Sequence, residues 1–68
     1  MSAAPAYSDR LLRLPAVQEL TGLARATIYK AVVQRSFPKP VKLGRASAWP
    51  EAEVRDWIEA RKAERSAA

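Results

Sequence analysis

Apolar positions along this chain recur in two different rhythms. From Leu14 to Gln34, LPAVQELTGLARATIYKAVVQ, they return every three or four residues in two runs separated by Gly22. Leu14, Val17 and Leu20 share one side of a first helix; Ile28, Ala31 and Val32 share one side of a second. That is the spacing of amphipathic helices laid on a core. Pro15 suits the first helical position, where its missing N–H is not needed. Gly22 falls where the first helix must end in a left-handed residue, which glycine adopts without steric cost. Thr21-Gly22-Leu23 is then a tight turn, and the second helix starts near Ala24. Two short helices around a glycine turn are expected to make a helix-turn-helix.

The rhythm changes after Ser36-Phe37-Pro38-Lys39-Pro40, whose two prolines stop the second helix. Phe37 reads as a plug between this loop and the core. Val41 and Leu43 alternate with Lys42, the period of a half-buried strand. Gly44-Arg45-Ala46 makes a turn, and Ser47 to Trp49 returns antiparallel. This hairpin has Arg45 at its tip and Lys42 on its outer face. Pro50 opens a last helix as its first residue. Glu51 and Glu53 lie in its first turn, where carboxylates suit the helix dipole better than acid–base chemistry. Val54, Trp57 and Ile58 form its inner stripe, continued by the stems of Arg61 and Arg65. Trp49 and Trp57 close hairpin and helix over the helix-turn-helix. Ahead of all this, Arg10 to Leu14 reads either as an extended strand or as a lead into the first helix. Leu11 or Leu12 turns inward there, and Arg10 or Arg13 is a candidate phosphate ligand. The expected fold is mainly α with a small β-hairpin: three helices plus a two-stranded wing over residues 10–62. Residues 1–9 are expected to be a flexible tail, with Tyr7 a candidate cover for the core, and residues 63–68 a frayed one.

Composition narrows the chemistry. A chain of 68 residues buries only about 60% of its unfolded surface, so its large apolar residues are needed in one small core. It has neither cysteine nor histidine, which removes thiolate and imidazole ligands and the usual nucleophile and base. With no glycine-rich phosphate cradle either, no enzyme, metal or cofactor is expected. No apolar run approaches the roughly 20 residues of a membrane span, and no secretion signal is visible. A cytoplasmic, nucleoid-associated bacterial protein is the expectation.

Charge points to a partner. Twelve basic against seven acidic residues leave a formal charge of +5. The excess is local: Arg25, Lys30, Arg35, Lys39, Lys42 and Arg45 fall between Leu23 and Ala48, where there is no acidic residue. A block of one sign repels itself and suits a polyanion. With Ile28 set inward, Ala26, Lys30 and Val33 point outward, Thr27, Tyr29 and Gln34 lie on the flanks, and Arg25 sits in the first turn. Such a helix, spanning residues 24–35, suits a DNA major groove. Arg25, Ala26, Thr27 and Lys30 would meet base edges there. Tyr29, Gln34, Arg35 and Lys39, with Lys42, Arg45 and Ser47 of the wing at residues 41–49, would hold the backbone or the minor groove. Val33 fits neither role and is expected to be covered by the third helix or a second protomer.

The segments L-P-A-V-Q-E-L-T-G-L-A-R-A-T-I-Y-K, F-P-K-P-V-K-L-G, a following tryptophan and E-V-R-D-W-I resemble the AlpA family of phage and mobile-element regulators. These are excisionase-like winged-helix proteins, distantly similar to MerR-type DNA-binding domains. The likeness runs from about Arg13 to Arg61. It implies that Thr27-Ile28-Tyr29 lies on a recognition helix, that Gly44-Arg45 turns the wing, and that Val54 and Trp57 are structural. The chain departs from the pattern at Ala24, where the family often carries a capping serine, and at Arg45-Ala46-Ser47-Ala48, where it often carries an arginine-glycine wing. The expected function is that of a sequence-specific double-stranded-DNA-binding transcriptional regulator of phage or integrated-element genes. The alternatives are an excisionase that bends attachment-site DNA beside an integrase, and a protein-interaction adaptor. Without heptads for a coiled coil, a monomer that associates cooperatively on DNA is expected.

Overall fold

The computed structural model describes residues 10–67, with side chains through Arg65; the expected N-terminal tail and Tyr7 lie outside the described residues. In chain order the elements are β1 (Leu11–Arg13), α1 (Leu14–Thr21), α2 (Arg25–Val33), β2 (Val41–Leu43), β3 (Ala46–Pro50) and α3 (Glu51–Ala67). Three helices and a small antiparallel sheet make a winged helix-turn-helix.

The α1–α2 turn is held by its own short side chains. Gly22 is left-handed, φ 74°, and its N–H donates to Gln18 O at 2.7 Å. The Thr21 hydroxyl donates to Val17 O at 2.8 Å and accepts from the Leu23 N–H at 3.2 Å. Three consecutive residues thus satisfy the backbone groups that a helix end leaves open. Pro15 sits in the first turn of α1, one residue after the helix begins at Leu14. Pro50, expected as the first residue of the last helix, instead closes β3 paired with Leu11, and α3 starts at Glu51.

The wing is a three-stranded sheet rather than a two-stranded hairpin. Its order is β1-β3-β2, with β3 in the middle. Leu11 pairs with Pro50, Leu12 with Trp49 and Arg13 with Ala48; Val41 pairs with Ala48, Lys42 with Ser47 and Leu43 with Ala46. The extra strand covers the edge that β3 would otherwise leave unpaired beside the core. Its alternation is clean, with Leu12 buried between exposed Leu11 and Arg13. β2 does not follow the half-buried pattern expected of it. Val41 and Leu43 are 41% and 46% exposed, because β2 is the outer strand and reaches past the core.

The core is Leu12, Val17, Ile28, Phe37, Trp49 and Val54, with Leu14, Leu20, Leu23, Val32, Trp57 and Ile58 packed around it. Two indoles also grip the loop after α2. Trp49 Nε1 donates to Pro38 O at 2.9 Å and Trp57 Nε1 to Ser36 O at 2.6 Å. Phe37 packs edge-on to both rings, 6.4 Å from Trp49 and 4.9 Å from Trp57. Glu51 is buried and lies 3.2 Å from Arg10 Nε and 2.7 Å from Arg55 Nη2. Its Oε1 faces Arg10 without the alignment of a hydrogen bond, while its N–H donates to Arg10 O at 2.8 Å. Arg10 therefore staples β1 to α3 instead of standing free for a phosphate. α3 continues through Ala67, past the boundary at Lys62, with exposed pairs Lys62–Glu59 at 3.0 Å and Arg61–Glu64. Among the described residues no helix is long and apolar enough to cross a membrane, and no cluster of acidic residues could hold a metal ion.

Candidate nucleic-acid interface

α2 rests on the core through Ile28, which is fully buried, with Ala31 and Val32 beside it. Periodicity then turns Ala26, Lys30 and Val33 to the other side, and all three are exposed. Val33 is 81% exposed; neither α3 nor any other described element covers it, so of the two expected covers the third helix does not serve. Thr27 and Gln34 flank this face, exposed, with no side-chain hydrogen bond among the described residues.

The start of α2 breaks two local rules. Ala24 is the N-cap and supplies no side-chain hydrogen bond, and Arg25 follows where a helix dipole prefers an acid. Both choices cost helix stability, and local rules are most often broken where a surface has work to do. Arg25 instead lies over the Tyr29 ring, 5.8 Å from its centroid. Tyr29 in turn tilts against Trp49 at 6.1 Å. Through that ring α2 is registered on the central strand β3, whose neighbour β2 carries the wing.

The end of α2 breaks a third rule. Arg35 is the only non-glycine residue with positive φ, 62°, among those described. Its N–H donates to Val32 O at 3.0 Å and the Ser36 N–H to Ala31 O at 2.9 Å. These two bonds are the Schellman termination, whose left-handed position is normally glycine. A β-carbon there costs about 1–2 kcal/mol. Glycine regains that strain less the roughly 0.4–1 kcal/mol of entropy it restores to the unfolded chain. Arg35→Gly should therefore stabilise the fold by about 1 kcal/mol and raise the Tm by about 4–8 °C. A melting curve unmoved or lowered would show that the left-handed arginine carries no strain.

The wing tip is a two-residue turn. Gly44 has φ 63° at its first position and Arg45 follows with an ordinary negative φ, the type II′ pattern that fits the twist of a hairpin. Lys42 reaches across the strand pair to Ser47, Nζ to Oγ 3.4 Å. Arg45 is exposed at this turn. The structure thus gathers the candidates in three groups. Arg25 and Tyr29 form one; Arg35 and Lys39 line a shallow cleft with Val33 and Pro38; Lys42 and Ser47 form the third. The first is tied to β3 by Tyr29 against Trp49 and the second by Phe37 against the same ring.

The partition of ion pairs was not visible in the sequence. Arg10, Arg55, Arg61 and Lys62 all pair with acids. None of Arg25, Lys30, Arg35, Lys39, Lys42 and Arg45 does so among the described residues, and all six are exposed. Glu53 and Asp56 of α3 border a cleft with Arg35 but form no ion pair with it among the described residues.

Comparison with known proteins places this arrangement. Residues 10–62 match the profile of the family described as Prophage CP4-57 regulatory protein (AlpA). The chain is 46% identical over 59 residues to the DNA-binding transcriptional activator AlpA of Escherichia coli (strain K12), covering 76% of this chain and 84% of that protein. It is 43% identical over 54 residues to the uncharacterized protein ORF88 of Enterobacteria phage P4, covering 78% of this chain and 61% of that protein. No solved structure matches.

Proposed function

Because the chain belongs to the AlpA family of prophage regulatory proteins, we infer that it is a sequence-specific double-stranded-DNA-binding regulator of phage or integrated-element transcription. One observation carries the assignment of its surface: the six cations between Leu23 and Ala48 are exposed and unneutralised, while the cations paired with acids all lie outside that block. A surface so arranged keeps a polyanion-sized positive field at little internal cost. α2 enters the major groove with Arg25, Ala26, Thr27 and Lys30 towards base edges. Tyr29, Gln34, Arg35 and Lys39 take the flanking phosphates, and Lys42, Arg45 and Ser47 bring the wing to the neighbouring backbone. A domain this small reads few base pairs, so useful selectivity calls for more than one copy per site.

Footprinting on DNA around the protein's own gene tests the assignment, with a protected, sequence-defined site as the expected result. Arg25→Ala then sorts that residue's role. If it grips guanine, binding should weaken by about 1–3 kcal/mol with relaxed preference at one base pair. A uniform loss on every sequence would move it to phosphate, and no loss would remove it from the interface.

A further inference from the structure

Among the described residues Val33 is the most exposed of the large apolar side chains. It is 81% exposed at the last position of α2. A β-branched residue there gains no burial and is a poorer helix former than alanine. It stands on the same outward side as Ala26 and Lys30, two turns beyond the first and about one beyond the second. Its surroundings say what kind of partner it meets. Arg35 and Lys39 flank it across a shallow cleft whose floor is Phe37 and Pro38. The centre of a protein–protein contact is depleted of charge; here one exposed aliphatic group shares its cleft with two exposed cations and no acid, Glu53 and Asp56 meeting Arg35 only in the separate cleft against α3. An apolar point bracketed by phosphate ligands fits a nucleotide, and the apolar group that a base offers in the major groove is the thymine methyl.

We propose that Val33 reads a thymine C5-methyl at the far end of the recognition helix, with Arg35 and Lys39 on the adjoining phosphates. The proposal rests on the DNA-binding reading above and adds a base to it. Seven residues separate Ala26 from Val33, about 10 Å at 1.5 Å per residue. That is about three base-pair steps at 3.4 Å, so the thymine lies about three positions from the base pair under Ala26.

The test uses the full chain. A site is first selected from random duplexes, and each thymine in it is then replaced singly by deoxyuridine, which deletes only the methyl. One such replacement should weaken binding about fourfold, the worth of one buried carbon. Val33→Ala should lose about as much on the thymine duplex, and nothing further on the deoxyuridine duplex, the non-additivity of a direct contact. The alanine variant keeps the salt dependence of the parent, and its fold is safe because the site is exposed and helical. The proposal is overturned if Val33→Ala binds as the parent does, or if it stays as sensitive as the parent to every deoxyuridine. It is equally overturned if the variant loses only the steepness of binding with protein concentration, which would make Val33 a contact between copies. Failure to select any site would instead count against the DNA-binding reading itself.

Discussion

Trp49→Ala should leave the domain mostly unfolded at 37 °C. Trp49 is fully buried at the meeting point of sheet, α2 and the loop after it. Removing so large a core side chain costs about 3–5 kcal/mol, and the lost Nε1–H bond to Pro38 O strands a carbonyl at further cost. A chain of this length has only about 3–10 kcal/mol of stability in all. Two neighbours calibrate the effect. Trp49→Phe keeps most of the apolar mass and loses the hydrogen bond, so it should fold with a lowered melting temperature. Trp57→Ala should be milder than Trp49→Ala, since Trp57 is only half-buried against the loop. Thermal unfolding followed by far-UV circular dichroism ranks the three. If Trp49→Ala melts within a few degrees of the parent, the core is not centred on this ring.

Raising salt from 50 to 200 mM should lower DNA affinity about 150-fold per bound protomer. Each phosphate met by a cation contributes about −0.9 to the slope of log K against log salt. Arg35, Lys39, Lys42 and Arg45, the cations assigned to the backbone, together give a slope near −4. The arithmetic also separates the two parts of the surface. Were the wing off the DNA, leaving only Arg35 and Lys39 on phosphates, the slope would be near −2. Removing the wing cation with Arg45→Ala should flatten the parent slope by about one without moving sequence preference. A titration by fluorescence anisotropy reads both numbers. A slope indistinguishable from zero contradicts the electrostatic footprint, and an Arg45→Ala variant with the parent slope takes the wing off the DNA. Arg35→Gly sets the same logic against stability: it should fold more stably and yet bind DNA less tightly, since it trades a phosphate ligand for relief of strain.

The kind and order of the elements follow from local pattern. Leu14, Val17 and Leu20, then Ile28, Ala31 and Val32, mark two helices because a 3.6-residue period can be satisfied only by a helix with one apolar side. Gly22 and Gly44 stand where a positive φ is needed, and Phe37 is an aromatic in a proline-bound loop with nowhere to go but inward. These are properties of a few adjacent residues, so they can be read without knowing what packs where. The excess of cations between Leu23 and Ala48 is likewise visible in one dimension.

Four features could not be read that way, each for the same reason. The pairing of Leu11 with Pro50 joins segments almost forty residues apart, and alternation in RLLRL says only that one side is apolar, not which strand receives it. Val41 and Leu43 alternate as a buried strand does, yet lie beyond the core because β3, not β2, takes the central place. Arg10 looks like a free cation until β1 brings it to the buried carboxylate of Glu51. Val33 looks like a residue awaiting cover until the packing of α3 leaves it bare. Periodicity tells each segment which of its sides avoids water; it carries no information about which distant segment arrives to meet that side, and this meeting settles which cations are neutralised and which remain for a partner.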